Sequence, residues 1–195
     1  MHKYYFRSFY FINKFEPYYI NKLDKKVSII YRNYSINLNK ELIIKIRDFC
    51  KKSNRKFYLS NNLKLAIRLD LDGVYLPSFN KELNVFQFNL KKKFELIGSA
   101  HNIKEIRIKE KQCVKTIFLS SIFKRNKNYL GMNKFNNLLK VTSGNVIALG
   151  GISKSNINKL KQLKIIGFAG ISYFRWIKKK APKIGAFKFS SKLLD

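Results

Sequence analysis

Apolar runs rich in β-branched and aromatic residues alternate with helix-patterned segments along the whole chain, and this alternation leaves few folds open. Tyr4 to Ile12 reads as the first strand, followed by a loop with Pro17 and a short basic segment. Val27 to Arg32 is the second strand; Asn39 then caps a helix carrying Leu42, Ile43, Ile46 and Phe49 at the 3.6-residue period. Lys56 to Leu59 is the third strand, and Asn62 opens a helix with Leu65, Ala66 and Leu69. Gly73 to Leu76 is the fourth, stopped by Pro77, and residues 80 to 93 show no period. Phe94 to Ser99 is the fifth strand, with a helix from His101 to Gln112 through Ile103, Ile106 and Ile108. Lys115 to Leu119 is the sixth; a basic loop from Lys124 to Tyr129 and a helix with Phe135, Leu138 and Leu139 follow. Asn145 to Leu149 is the seventh strand, with a helix over Lys154 to Leu163. Gly167 to Ile171 is the eighth, with a helix over Tyr173 to Lys179 and a basic tail from Ala181.

Strands that alternate with helices pair in parallel through right-handed crossovers. Eight such units within 195 residues favour a closed barrel over an open sheet. The expected fold is α/β: a small single-domain (β/α)8 TIM barrel spanning residues 1–195, with no linker or composition break. A hydrophobic content of 46% excludes a disordered chain despite its charge. The longest apolar runs, such as Val146 to Leu149, are too short to cross a bilayer, so no membrane partner is expected. No cleavable leader is recognisable at Met1 to Arg7, which points to the cytoplasm. Cys50 and Cys113 stand alone and are expected to be reduced, buried thiols.

The 41 Lys and Arg residues against 11 Asp and Glu give a net charge of +30, which ordinarily suggests a polyanionic partner. Here the lysines are spread along the chain and accompany many Asn, Ile, Phe and Tyr residues, as an A/T-biased genome produces in any protein. Nucleic acid is therefore not the expected partner.

In parallel barrels the working groups lie at the C-terminal ends of the strands. Gly150-Gly151-Ile152-Ser153 after the seventh strand and Ala169-Gly170-Ile171-Ser172 after the eighth are the features to note there. Glycine lets backbone N–H groups approach an anion closely, so these neighbouring turns read as a phosphate grip; tight turns also use glycine for geometry alone. No acid falls directly at a strand's C-terminal end, and Asp70 and Asp72 precede the fourth strand at the opposite face. Arg32, Lys124, Arg125 and Lys127 make the expected mouth cationic, suited to anionic substrates and poorly suited to Mg²⁺, which wants carboxylates. His101 reads either as an acid–base group or as a helix-capping residue.

Taken in order, Gly73-Val74-Tyr75-Leu76, Gly98-Ser99-Ala100-His101-Asn102, Ile122-Phe123, Leu130-Gly131, Ala148 to Ile152 and Gly167 to Ser172 resemble the thiamine phosphate synthase and thiazole tautomerase family. The resemblance runs from about Val27 to Phe174. It implies a transferase of thiamine biosynthesis that joins a hydroxymethylpyrimidine pyrophosphate to a thiazole phosphate and releases pyrophosphate. Residue by residue, it implies catalytic roles for Arg32, Ser99 and Lys127. It places Gly150, Gly151, Ile171, Ser172 and Asn61 on phosphorylated substrates. The family's metal-ligand positions align with Asn61 and Asn80, so Mg²⁺, if used, would meet a degenerate site. Ile30 and Tyr34 replace the partners of the family's pyrophosphate-binding arginine, and Ser120-Ser121 stands where the tautomerase carries a histidine. The leading expectation is a divergent synthase acting on phosphorylated small molecules; the alternative is a phosphate-ligand-binding or tautomerase-like barrel without synthase turnover.

Overall fold

A computed structural model describes residues 6–34, 38–83 and 87–174. Eight parallel strands close into one barrel in sequence order, β1 pairing with both β2 and β8. The strands are β1 (Arg7–Ile12), β2 (Val27–Tyr31), β3 (Phe57–Ser60), β4 (Gly73–Leu76), β5 (Glu95–Ala100), β6 (Thr116–Leu119), β7 (Asn145–Leu149) and β8 (Gly167–Gly170). The helices are α1 (Pro17–Asn21), α2 (Lys40–Lys52), α3 (Leu63–Arg68), α4 (Ile103–Lys111) and α5 (Gly131–Val141).

Side-chain alternation along each strand makes two cores from one sheet. Inside the barrel lie Phe9, Phe11, Ile30, Tyr58, Tyr75, Ile97, Phe118, Ile147 and Ala169. Their neighbours in sequence, among them Tyr10, Ile29, Leu59, Val74, Ile117 and Ala148, face outward and pack beneath the helices. Four of the five interior rings pack edge to face: Phe9 on Phe118 with centroids 4.9 Å apart, Phe11 on Tyr75 at 5.2 Å, and Tyr75 on Phe118 at 5.6 Å. Large rings fill the centre with few residues, which suits a chain this short.

Helix starts follow local chemistry. Asn39, Asn62 and Asn102 each accept a backbone N–H with their side-chain oxygen at the head of α2, α3 and α4. Several expectations are corrected. The segment after β7 forms a short 3₁₀-helix at Ile157–Gln162 instead of an α-helix over 154–163. Ile103 is exposed; the inward face of α4 is Ile106 and, unexpectedly, Lys109. Cys50 is buried, but Cys113 is exposed on a turn. Of the final helix, residues 172–174 are helical, and its remainder and the tail from Ala181 lie outside the described residues. Among the described residues no helix is long and apolar enough to cross a membrane.

Candidate functional site

The turns after β7 and β8 meet over one cavity of about 240 Å³ at the barrel mouth. Gly150, Gly151 and Ile152 line it from β7, Gly170, Ile171 and Ser172 from β8, and Arg32 and Tyr34 from the end of β2. Phe11 and Tyr75, the upper rings of the interior core, form its floor. The loop after β6 contributes Ser120, Ser121, Lys124 and Asn126. The Ser120–Ser121 peptide bond is cis.

Backbone hydrogen bonds hold this mouth together. The N–H groups of Phe123 and Lys124 donate to the Gly150 carbonyl at 2.9 and 3.3 Å, so the β6 loop lies directly on the β7 turn. Gly150 and Gly151 have φ of +103° and +73°, and a Cβ on Gly151 would sit 2.5 Å from the Lys124 nitrogen. Only glycine fits that approach. Asn156 braces the same turn from outside: its Nδ2 donates to the Gly151 carbonyl at 2.9 Å, and its Oδ1 accepts from the Ser153 N–H at 2.9 Å.

Arg32 hangs over the rim, its Nε donating to Asn13 Oδ1 at 3.3 Å and its guanidinium 5.8 Å from the Phe11 ring centroid. Ser99 is buried below the mouth, facing the Tyr75 phenol, and does not line the cavity. Burial holds that phenol well above its ordinary pKa, against the opposing pull of Ser99 and Arg32. Lys127 is exposed in the β6 loop, and Lys124 is the lysine at this cavity. His101 serves the head of α4: its N–H donates to Glu105 Oε2 at 2.7 Å, and its Nδ1–H donates to the Ser120 carbonyl at 2.9 Å.

Asn61 and Asn80 are brought together, but around a separate cavity of about 410 Å³ beside β3 and β4, shared with Lys64, Glu82 and Phe88. Asn61 takes a left-handed φ of +56° while its N–H donates to the Tyr75 carbonyl at 2.8 Å. Asn80 Nδ2 donates to Asn61 Oδ1 at 2.9 Å. Asn80 Oδ1 in turn accepts from Gln112 Nε2 at 2.8 Å and from the Glu82 N–H at 3.2 Å. Behind them lies Lys109, fully buried, whose Nζ donates to the Asn80 carbonyl at 2.7 Å and to Gln112 Oε1 at 2.8 Å. Burial draws its pKa down to about 8, against the pull of Glu105. Both amide oxygens are thus engaged, and a buried amine adjoins them. Among the described residues no three His, Cys, Asp or Glu side chains cluster. Glu82 is the one acid lining this cavity among the described residues, and with both amide oxygens engaged and Lys64 beside it, it leaves Mg²⁺ a poorer donor set than paired carboxylates would.

Inspection of strand ends found Arg32, the two glycine turns and the asparagine pair. It missed Lys109 and Gln112, whose signal is a lysine three residues after Ile106, where α4 turns its inner face to the sheet. Phe79 was also missed: exposed, it meets Tyr34 edge to face with centroids 5.2 Å apart at the rim.

A closed (β/α)8 barrel with cavities at the C-terminal ends of its strands belongs to the barrel class that places ligands there. The chain is a member of the thiamine monophosphate synthase family, whose model matches residues 22–174. It is 33% identical over 134 residues to a thiamine-phosphate synthase of Prochlorococcus marinus subsp. pastoris, covering 66% of this chain and 38% of that protein. A thiamine-phosphate synthase of Pelagibacter ubique is 30% identical over 159 residues, covering 78% and 75%. The chain therefore spans little over a third of the Prochlorococcus relative and three quarters of the Pelagibacter one. Among solved structures, the thiamine phosphate pyrophosphorylase of Pyrococcus furiosus superposes with a TM-score of 0.71 at 16% identity, covering 90% of this chain and 93% of that one. That likeness shows the fold.

Proposed function

We propose that this chain is a divergent thiamine phosphate synthase, a single-domain transferase. It would join a hydroxymethylpyrimidine pyrophosphate to a thiazole phosphate and release pyrophosphate. The observation that carries the reading is the convergence of the Gly150-Gly151 and Ile171-Ser172 turns with Arg32 on one cavity. In this reading the backbone N–H groups of the two turns hold the thiazole phosphate. The C–O bond between the pyrimidine methylene and pyrophosphate breaks, the leaving oxygen keeps the electron pair, and the thiazole nitrogen forms the new C–N bond. Arg32 and Lys124 stabilise the charge that develops on the leaving group, and the rim orients the two rings. Lys127 and Ser99 are supporting groups, one on the loop that carries Lys124 and one behind Tyr75.

A turnover assay with both substrates tests the reading, run with and without Mg²⁺. Formation of thiamine phosphate together with an equal amount of pyrophosphate is the expected result. Saturable binding of both substrates without product would replace the synthase reading by that of a phosphate-ligand-binding barrel.

A further inference from the structure

Ser120 and His101 meet at the mouth, and their geometry decides which of them donates. His101 Nδ1 lies 2.9 Å from the Ser120 carbonyl and 3.0 Å from the Ser120 hydroxyl. A serine beside an imidazole ordinarily suggests a nucleophile and its base. The carbonyl excludes that pairing here: it can only accept, so Nδ1 must carry a hydrogen. That hydrogen faces both Ser120 oxygens, and the hydroxyl oxygen meets a donor. Its own hydrogen is left for another acceptor, and among the described residues the protein supplies none. The neighbouring hydroxyl is committed, Ser121 Oγ donating to the Lys124 carbonyl at 2.9 Å.

The Ser120 side chain is also aimed. Phe118 faces the barrel interior while Ile117 and Leu119 face outward, so Ser120 is the next inward position along β6. It is 6% exposed and lines the mouth cavity. The Phe118 ring packs on both floor rings, with centroids 6.2 Å from Phe11 and 5.6 Å from Tyr75. Leu119 pairs with Ala148, two residues short of the Gly150 turn. The free O–H therefore stands at the level of the aromatic floor, where a ring would lie, and below the amides that would take a phosphate.

We propose that Ser120 reads a ring-nitrogen acceptor on a planar heteroaromatic ligand lying over Phe11 and Tyr75. His101 is the positioning residue, which leaves the hydroxyl only a donor's role. The inference rests on the proposed synthase reading for its ligand, the pyrimidine ring of the pyrophosphate substrate. The thiazole nitrogen, which forms the new bond, must stay free of such a donor.

Calorimetric titration of the whole chain tests it with two ligands: the hydroxymethylpyrimidine pyrophosphate, and benzyl pyrophosphate, which carries the same anion on a ring without nitrogen. Ser120→Ala should weaken the pyrimidine ligand about fivefold and leave the affinity for the benzyl ligand unchanged. His101→Leu should reproduce that loss and add nothing to it in the double variant. His101→Asn, whose Nδ2 takes the place of Nδ1, should restore native affinity. The chain has two histidines, so nitrogen NMR of the neutral ring reads the tautomer directly, and Nδ1–H is expected at His101. An Nε2–H tautomer, no binding of the pyrimidine ligand, or equal losses on both ligands would overturn the inference. A Ser120→Ala variant with native affinity and native turnover would remove it and keep the synthase reading. Serine-dependent pyrimidine binding without thiamine phosphate formation would instead remove the synthase reading and leave this one standing.

Discussion

Ser172 is the first helical residue after β8 and lines the same cavity as Gly151. A carboxylate there would oppose any phosphate held by the two turns, and the cavity is small enough that the charges could not separate. Ser172→Asp should therefore weaken binding of thiazole phosphate by at least about tenfold, with little change in melting temperature, as calorimetry and a thermal melt would show. Unchanged affinity would move the phosphate elsewhere. At this scale the site was legible wherever residue type and strand-end position coincide, as at Arg32, Gly150, Gly151 and Ser172. It was illegible where a side chain acts from behind. Lys109 lies on a helix between two strands, and the sequence alone gives no distance from it to Asn80. Ser99 and Lys127 do not line the cavity: Ser99 faces the barrel interior against the Tyr75 phenol, beneath the mouth, and Lys127 lies exposed on the β6 loop.

Arg55 shows how one side chain can terminate an element. It precedes β3, is 5% exposed, and donates through Nη2 to the Ile20 and Leu23 carbonyls at 3.1 and 2.7 Å. Through Nη1 it reaches the Asp24 and Val27 carbonyls. The end of α1 and the turn into β2 thus depend on a guanidinium from elsewhere in the chain. Arg55→Met leaves those carbonyls without a donor and should cost about 3 kcal/mol in a urea melt. The strands were legible because parallel strands buried on both faces give continuous apolar runs. The short helices were not. Lys154 to Leu163 carries a helical pattern, but Ser153 and Asn156 bind the turn, and the segment tightens into a 3₁₀-helix. At the head of α4 the cap holds instead: Asn102 Oδ1 accepts the Glu105 N–H at 3.0 Å, and Glu105 Oε2 accepts the His101 N–H at 2.7 Å.

For the whole molecule, the end of the barrel opposite the cavities is tied by Glu95 on β5, which pairs with Arg7 of β1 at 2.7 Å and with Lys56 beside β3. Burial alone would raise the Glu95 pKa, but hydrogen bonds from Lys56 and Arg7 outweigh it and hold the carboxyl below its ordinary 4.5. A depressed carboxyl stabilises the fold above its unfolded value and loses that contribution as the pH falls through the folded one. Melting temperature should thus drop between about pH 5 and about pH 3. Glu95→Gln should be less stable at neutral pH, by under about 1 kcal/mol for a pair this exposed, and less sensitive to acid.

Phe11 and Tyr75 belong both to the packed interior and to the floor of the mouth. A molecule seated there rests on the top course of the stack that props all eight strands apart. The guest would touch the frame directly, so opening the sheet at its centre would disturb the guest's seat. Occupancy at the rim is in this way written into the cohesion of the entire barrel.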